Sequence, residues 1–377
     1  MLYWLLYEKL FHVFTPFRVF YYSTVRTAFA SLTALFLCVA LGPWLIAKLR
    51  EFQIGQYIRE DGPKSHMKKA GTPTMGGLLI VISIVVPTLL WANLRNPYIW
   101  VALFGLVSFG AIGFYDDYTK IRRMRNLGLT SRQKFGLQVI AAVLVGLCLL
   151  VMHSRGSYST AINFPFFKQF KPDLLITSFL SNPLTYPLAF VFFYLFVALV
   201  LVGSSNAVNL TDGLDGLAIG LMIIASGAMT VLSYLTGHAE FARYLDLDRL
   251  AGANELTIFC AAMTGASLGF LWYNAHPAEV FMGDVGSLAL GGGLGVVAVL
   301  IKQEVLLIFI GGVYVMEALS VILQVGSFKL RGKRIFKMAP IHHHFEALGW
   351  PESKIITRFW ILGLVMALFA LTTLKLR

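Results

Sequence analysis

Apolar runs of about 20 residues recur from one end of this chain to the other, and no other feature restricts its fold so severely. A helix of that length crosses the hydrocarbon of a bilayer, where each backbone N–H and C=O must be satisfied within the segment. Candidate spans read off at 24–48, 74–94, 97–115, 135–152, 184–204, 216–236, 254–273, 286–301, 305–326 and 355–374. The short alternating segments of a membrane barrel are absent. The expected fold is all-α: a polytopic integral membrane protein of about ten transmembrane helices, in a single membrane-embedded domain over 1–377, with a cleft facing the cytoplasm. Composition agrees, with 57% hydrophobic and 13% charged residues, where globular chains run near 25% charged.

Residues 1–22 mix Trp4, Phe11, Phe14 and Phe17 with Glu8, Lys9 and Arg18, and read as an interfacial aromatic helix. No short signal-peptide pattern precedes the first span, so that span is expected to stay in the mature protein. Cys38, Cys148 and Cys260 are scattered through apolar runs, which argues against a disulfide framework or a zinc site. An alternating path puts loops 49–73, 116–134, 205–215, 274–285 and 327–354 on one face. They carry the larger share of Lys and Arg, so the positive-inside rule makes that face cytoplasmic and leaves both termini outside.

Every polar motif that suggests chemistry falls on that face. Asn206-Ala-Val-Asn-Leu-Thr-Asp-Gly-Leu-Asp-Gly216 is read as a tight turn between two spans, carrying Asn206, Asn209, Asp212 and Asp215. A helix cap would explain one of its carboxylates but not both together with the amides. Paired carboxylates with amides suit a hard divalent cation such as Mg2+, which keeps waters and shares substrate phosphates. Asp116-Asp117 closes the third span, where two acids oppose the helix dipole unless a cation compensates. The plain alternative is a solvated helix end paired with Lys120, Arg122 and Arg123. Phe281-Met-Gly-Asp-Val-Gly-Ser287 opens the eighth span. Asp284 there is either an N-cap or, beside Asn274 and the Phe281 ring, part of a pocket for a planar group and a metal.

Ala339-Pro-Ile-His-His-His-Phe-Glu346 follows a run of Lys and Arg. Three consecutive His cannot all face one ion, whereas His beside cations suits phosphate oxygens. Lipid-headgroup anchoring is the other reading of the basic run. In the first loop, Lys68, Lys69, Thr72 and Thr74 with nearby glycines offer donors to an anion. Glu317, Ser320 and Gln324 share one face of the ninth span, with interhelical hydrogen bonding the reading for Glu317. The glycines at 291–293 and 295 read as close helix packing. Acids, a divalent ion and cations at a membrane surface make a toolkit for moving a phosphoryl group onto a lipid.

With these motifs assembled, the sequence resembles the phospho-N-acetylmuramoyl-pentapeptide-transferases, within the polyprenyl-phosphate N-acetylhexosamine-1-phosphate transferase superfamily. The likeness is carried by Lys68-Lys-Ala-Gly-Thr-Pro-Thr-Met-Gly-Gly77, Asp116-Asp117, the 206–216 and 281–287 stretches, and Ala339-Pro-Ile-His-His-His344. It implies a multi-pass enzyme of the bacterial inner membrane. Such an enzyme takes phospho-MurNAc-pentapeptide from UDP-MurNAc-pentapeptide to undecaprenyl phosphate, giving lipid I and UMP with Mg2+. The resemblance further implies a homodimer and no nucleic-acid partner. Carried over by position, Asp284 is the metal ligand, with Asn209 its helper at the diphosphate. Asp116 matches the residue proposed to deprotonate the lipid phosphate, beside Asp117. Phe281 would stack on uracil, with Lys69, Asn274 and Asp215 at the nucleoside and Asp212 near the ribose. His343 and His344 would meet the diphosphate or sugar, with Gln324 close by, and Thr74 and Asn206 complete the substrate-binding set. A direct displacement and an aspartyl intermediate both stay open. The rivals are a sister GlcNAc-1-phosphate transferase and, from another class, a secondary transporter, whose sites lie near the bilayer centre between repeated halves.

Overall fold

The computed structural model describes residues 1–51, 71–123, 128–167, 170–180 and 185–375. Its thirteen α-helices, numbered in chain order, are α1 Ser23–Glu51, α2 Gly77–Trp91, α3 Pro97–Arg123, α4 Ser131–Ser154, α5 Val191–Thr211, α6 Leu217–Gly237 and α7 Ala239–Leu245, then α8 Ala253–Asn274, α9 Gly283–Leu300, α10 Glu304–Ile310, α11 Gly312–Arg331, α12 Ile341–Ala347 and α13 Glu352–Thr372. Among the described residues, nine of them are long and apolar enough to cross a membrane. The protein is an all-α, polytopic membrane protein. An isolated antiparallel bridge, Ala161 with Asp173, lies in the loop after α4.

The expected spans appear with four changes. α2 has 15 residues, about 22 Å of helix, short of the ~30 Å of hydrocarbon. Its missing first turn is irregular chain held to the α8–α9 loop: Pro73 O accepts from Phe281 N, while Gly76 N and Gly77 N donate to the carbonyls of Phe281 and Met282. α3 runs on to Arg123, so Asp116 and Asp117 lie inside the helix rather than closing it. Lys120, three and four residues on, bonds both acids and removes the penalty that would have ended the helix there. α5 extends to Thr211, which puts Asn206 and Asn209 on its last turns and leaves only Asp212–Gly216 as the connection to α6. The ninth span breaks at Gly311 into α10 and α11.

α8 and α9 form the buried centre. α9 packs on α3, α5 and α2, and α8 on α1, α6 and α2. Lipid offers helices no hydrophobic drive toward one another, so close approach of small residues is what holds them. The α9 glycines behave as read: a methyl at Gly291 would strike Ser204 and Ser205, and one at Gly292 would strike Phe109. At one end of the bundle Arg26 pairs with Glu255 at 2.7 Å and donates to Trp91 O, fastening α1 to α8 and α2. Residues 1–22 form two short helical turns there, with the Tyr3 ring against Arg26 and the Phe20 ring stacked on Trp91. The polar motifs gather at the opposite end.

Candidate active site

Gly113 sets the geometry. A methyl there would collide with the backbone carbonyl of Asp284, so α3 and the first turn of α9 touch, and the acids one turn further along α3 arrive beside Asp284. Asp116, Asp117 and Asp284 each place a carboxylate oxygen within 4.8 Å of the others. The Lys120 ammonium bridges all three, at 2.7 Å from Asp116 Oδ2, 3.0 Å from Asp117 Oδ1 and 2.7 Å from Asp284 Oδ2. Lys134, from α4, reaches Asp284 Oδ2 at 3.0 Å. Asn209 donates to Asp284 Oδ1 at 2.6 Å and to Ser287 Oγ at 2.8 Å.

The remaining oxygens have partners too. Asp117 Oδ2 accepts from Val285 N at 3.3 Å, so an acid of α3 caps the start of α9, and Asp284 is not itself the cap. Asp116 Oδ1 accepts from Leu129 N at 2.6 Å. Gly283 has φ +71°, and a methyl on it would meet both the Asp117 carboxylate and the Thr74 hydroxyl, which puts Thr74 at the edge of the same site. Three nearly buried carboxylates this close repel one another strongly unless a cation sits among them. The donors are all hard oxygens, and the Lys120 ammonium already occupies the place of a cation. The group therefore fits Mg2+.

Behind this cluster, Asp212 ends α5. Burial first, then the charges of Asp284, Asp117 and Asp215, push its carboxyl up to about 8, so it is mainly protonated at neutral pH and can donate. Gly213 beside it leaves room for the His342 ring, which a methyl there would strike. His342 is fully buried, with Nδ1 at 3.1 Å from Glu317 Oε1. His343 Nδ1 lies 2.6 Å from Glu346 Oε2, and His344 Nδ1 accepts from Lys337 N at 3.1 Å.

Other anticipated residues also make contacts that hold the scaffold. Asn274 accepts from Gly216 N and donates to Val280 O, tying the α5–α6 turn to the α8–α9 loop. Asp215 belongs to a second group with His276 and Glu352, and accepts from Ala278 N. Asn206 pairs with Gln138 of α4. Gln324 accepts from Ile335 N and Phe336 N and donates to Phe336 O, fixing the loop ahead of the histidines. Phe281 is clamped by its backbone to 73–76, with its side chain half-buried. Lys69 lies outside the described residues.

Sequence reasoning left Lys134 and His342 out of the site and gave Lys120 only a pairing role. The spacing of Lys120 from the acids was a usable signal. Nothing local to Lys134 points across to α9.

A family model described as glycosyl transferase family 4 matches residues 99–302, and one described as phospho-N-acetylmuramoyl-pentapeptide-transferase signature 1 matches residues 69–81. Three proteins bearing the name phospho-N-acetylmuramoyl-pentapeptide-transferase align over 100% of both chains. Those of Solibacter usitatus, Koribacter versatilis and Acidobacterium capsulatum are 71%, 67% and 64% identical, respectively. The chain belongs to the phospho-N-acetylmuramoyl-pentapeptide-transferase family. Its signature stretch contains Thr74–Gly77, the segment laced to Phe281 and Met282. The described part of the signature and the edge of the acid cluster are thus one structural unit. The glycosyl transferase model runs from the start of α3 to the α9–α10 turn and takes in all three acids.

Proposed function

We propose that the protein transfers phospho-MurNAc-pentapeptide from UDP-MurNAc-pentapeptide to undecaprenyl phosphate, producing lipid I and UMP. We place this Mg2+-dependent step at the cytoplasmic face of the bacterial inner membrane. The observation that carries the reading is the Asp116, Asp117 and Asp284 cluster, with Lys120 and Lys134 on it, at the mouth of a helical bundle. Asp284 and Asn209 would hold the metal, which when bound neutralises charge on the diphosphate.

An acceptor phosphate monoester is mostly a dianion near pH 7, so attack needs little deprotonation, and catalysis rests on positioning and charge. Asp116 is placed to orient the acceptor phosphate or take its residual proton, with Asp117 fixing the α9 end. Asp212, with Asp215, Asn274, Lys69 and Thr74, belongs to the nucleotide side, where Phe281 stacks on the uracil. Asn206 and Gln324 serve that side by holding the walls. His343 and His344 meet the diphosphate or sugar. An apolar cavity of about 270 Å3 between α5, α9 and α10–α11 supports a lipid acceptor: Val208, next to Asn209, lines one end, and the exposed Leu199, Ile308 and Leu319 line it further out. A homodimer is part of the same reading.

The deciding experiment offers the purified protein UDP-MurNAc-pentapeptide or UDP-GlcNAc with undecaprenyl phosphate, with and without Mg2+, and measures UMP. Release only with the muramyl donor, lipid and metal is expected. Release from UDP-GlcNAc would move the protein to the sister activity, and no release at all would remove the assignment.

A further inference from the structure

The position of Lys120 bears on how this site takes up a metal, and the inference rests on the Mg2+ reading above. Its ammonium touches Asp284, the acid that would hold the ion, at 2.7 Å, and also both acids that flank it, Asp116 and Asp117. Lys134 touches Asp284 alone. The side chains of Asp116 and Asp117 are 4% exposed, whereas that of Lys120 is 31% exposed. Asp284 is only half as exposed as Lys120, so the lysine side chain is the member of the cluster best able to swing out to water.

Charge counting points the same way. Three carboxylates against two ammoniums leave the cluster one negative charge in excess. A divalent ion added with both lysines in place would overshoot to a net positive charge in a nearly buried site. Exchanging it for one ammonium closes the cluster at neutrality. Both lysines sit on Asp284 Oδ2, but Lys120 is the closer, at 2.7 Å against 3.0 Å, and the one that also occupies the space between Asp284 and the other two carboxylates.

We propose that Lys120 is a built-in counter-cation that competes with the divalent ion for the same carboxylate oxygens, so that metal uptake is an exchange rather than an addition. Lys120 lowers the apparent metal affinity by the fraction of time its ammonium occupies the cluster. It also keeps the three acids from repelling one another when no ion is bound.

The test is Mn2+ binding to the full-length protein in nanodiscs, followed by the EPR signal of free Mn2+, for wild type, Lys120→Gln, Lys120→Arg and Lys134→Gln. Lys120→Gln should bind Mn2+ about tenfold more tightly if the ammonium holds the cluster about nine-tenths of the time. Lys120→Arg, which keeps the charge, should stay near wild type, and Lys134→Gln should gain less than Lys120→Gln. In parallel, the rise in melting temperature on adding Mg2+ should be larger for Lys120→Gln than for wild type, because its metal-free form has lost its counter-cation. Unchanged or weaker Mn2+ binding by Lys120→Gln, with normal binding by wild type, would overturn the exchange alone. No Mn2+ binding by either wild type or Lys120→Gln would overturn both the exchange and the metal reading beneath it.

Discussion

At the scale of single residues, the site depends on a few atoms that bring acids together across unrelated parts of the chain. Gly113 is the clearest, since a methyl there would push against the Asp284 carbonyl. Gly113→Ala should lower turnover about 100-fold, the cost of shifting catalytic groups by about 1 Å. Gly136→Ala, where nothing lies within 4 Å, should be neutral. UMP release per folded molecule checks both. Asp284→Asn should hurt more than Asp116→Asn at saturating Mg2+, because Asp284 is the acid shared by Lys120, Lys134 and Asn209, and a dianionic acceptor asks little of a base. The reverse order in purified variants would speak for a true general base. The acids were legible in the sequence because carboxylates so near hydrocarbon demand a reason. The directions of the amides were not. Asn274, Asn206 and Gln324 advertise polarity, but only the folded chain reveals that each spends it on a neighbouring backbone or amide.

At the scale of elements, the hydropathy pattern located nearly every helix and misjudged their ends. α3 outruns its apolar stretch because Lys120 pairs with both Asp116 and Asp117 within the helix, and α5 outruns its own to carry Asn206 and Asn209. A window that scores apolar residues stops at the first charge and cannot see such pairing. The break at Gly311 was hidden for the opposite reason, since its flanks are as apolar as any span. Gln324 makes three bonds to the 335–336 backbone, each contributing about 1 kcal/mol, and so holds the approach to α12. Gln324→Leu should leave the bundle folded, speed tryptic cleavage within 329–337 and lower kcat/KM. Unchanged cleavage would assign Gln324 to substrate rather than to the loop.

At the scale of the whole molecule, the two ends of the bundle do separate work. Far from the acids, the Arg26–Glu255 pair ties three helices, with Asn93 N also donating to Glu255. Removing one partner of a buried pair costs about 3–5 kcal/mol. Glu255→Gln should therefore lower the melting temperature in detergent clearly, while kcat/KM of the surviving folded fraction stays at the wild-type value. A fall in both would mean that the ends are coupled. The acids, by contrast, ride on two long helices, and the close approach of α3 to α9 at Gly113 sets their spacing. Such a centre is a gauge of the bundle's fit. A solvent that lets α3 slide by a fraction of a turn against α9 would silence the enzyme while every helix stayed wound, so loss of turnover should precede loss of helicity whenever the lipid is replaced by something looser.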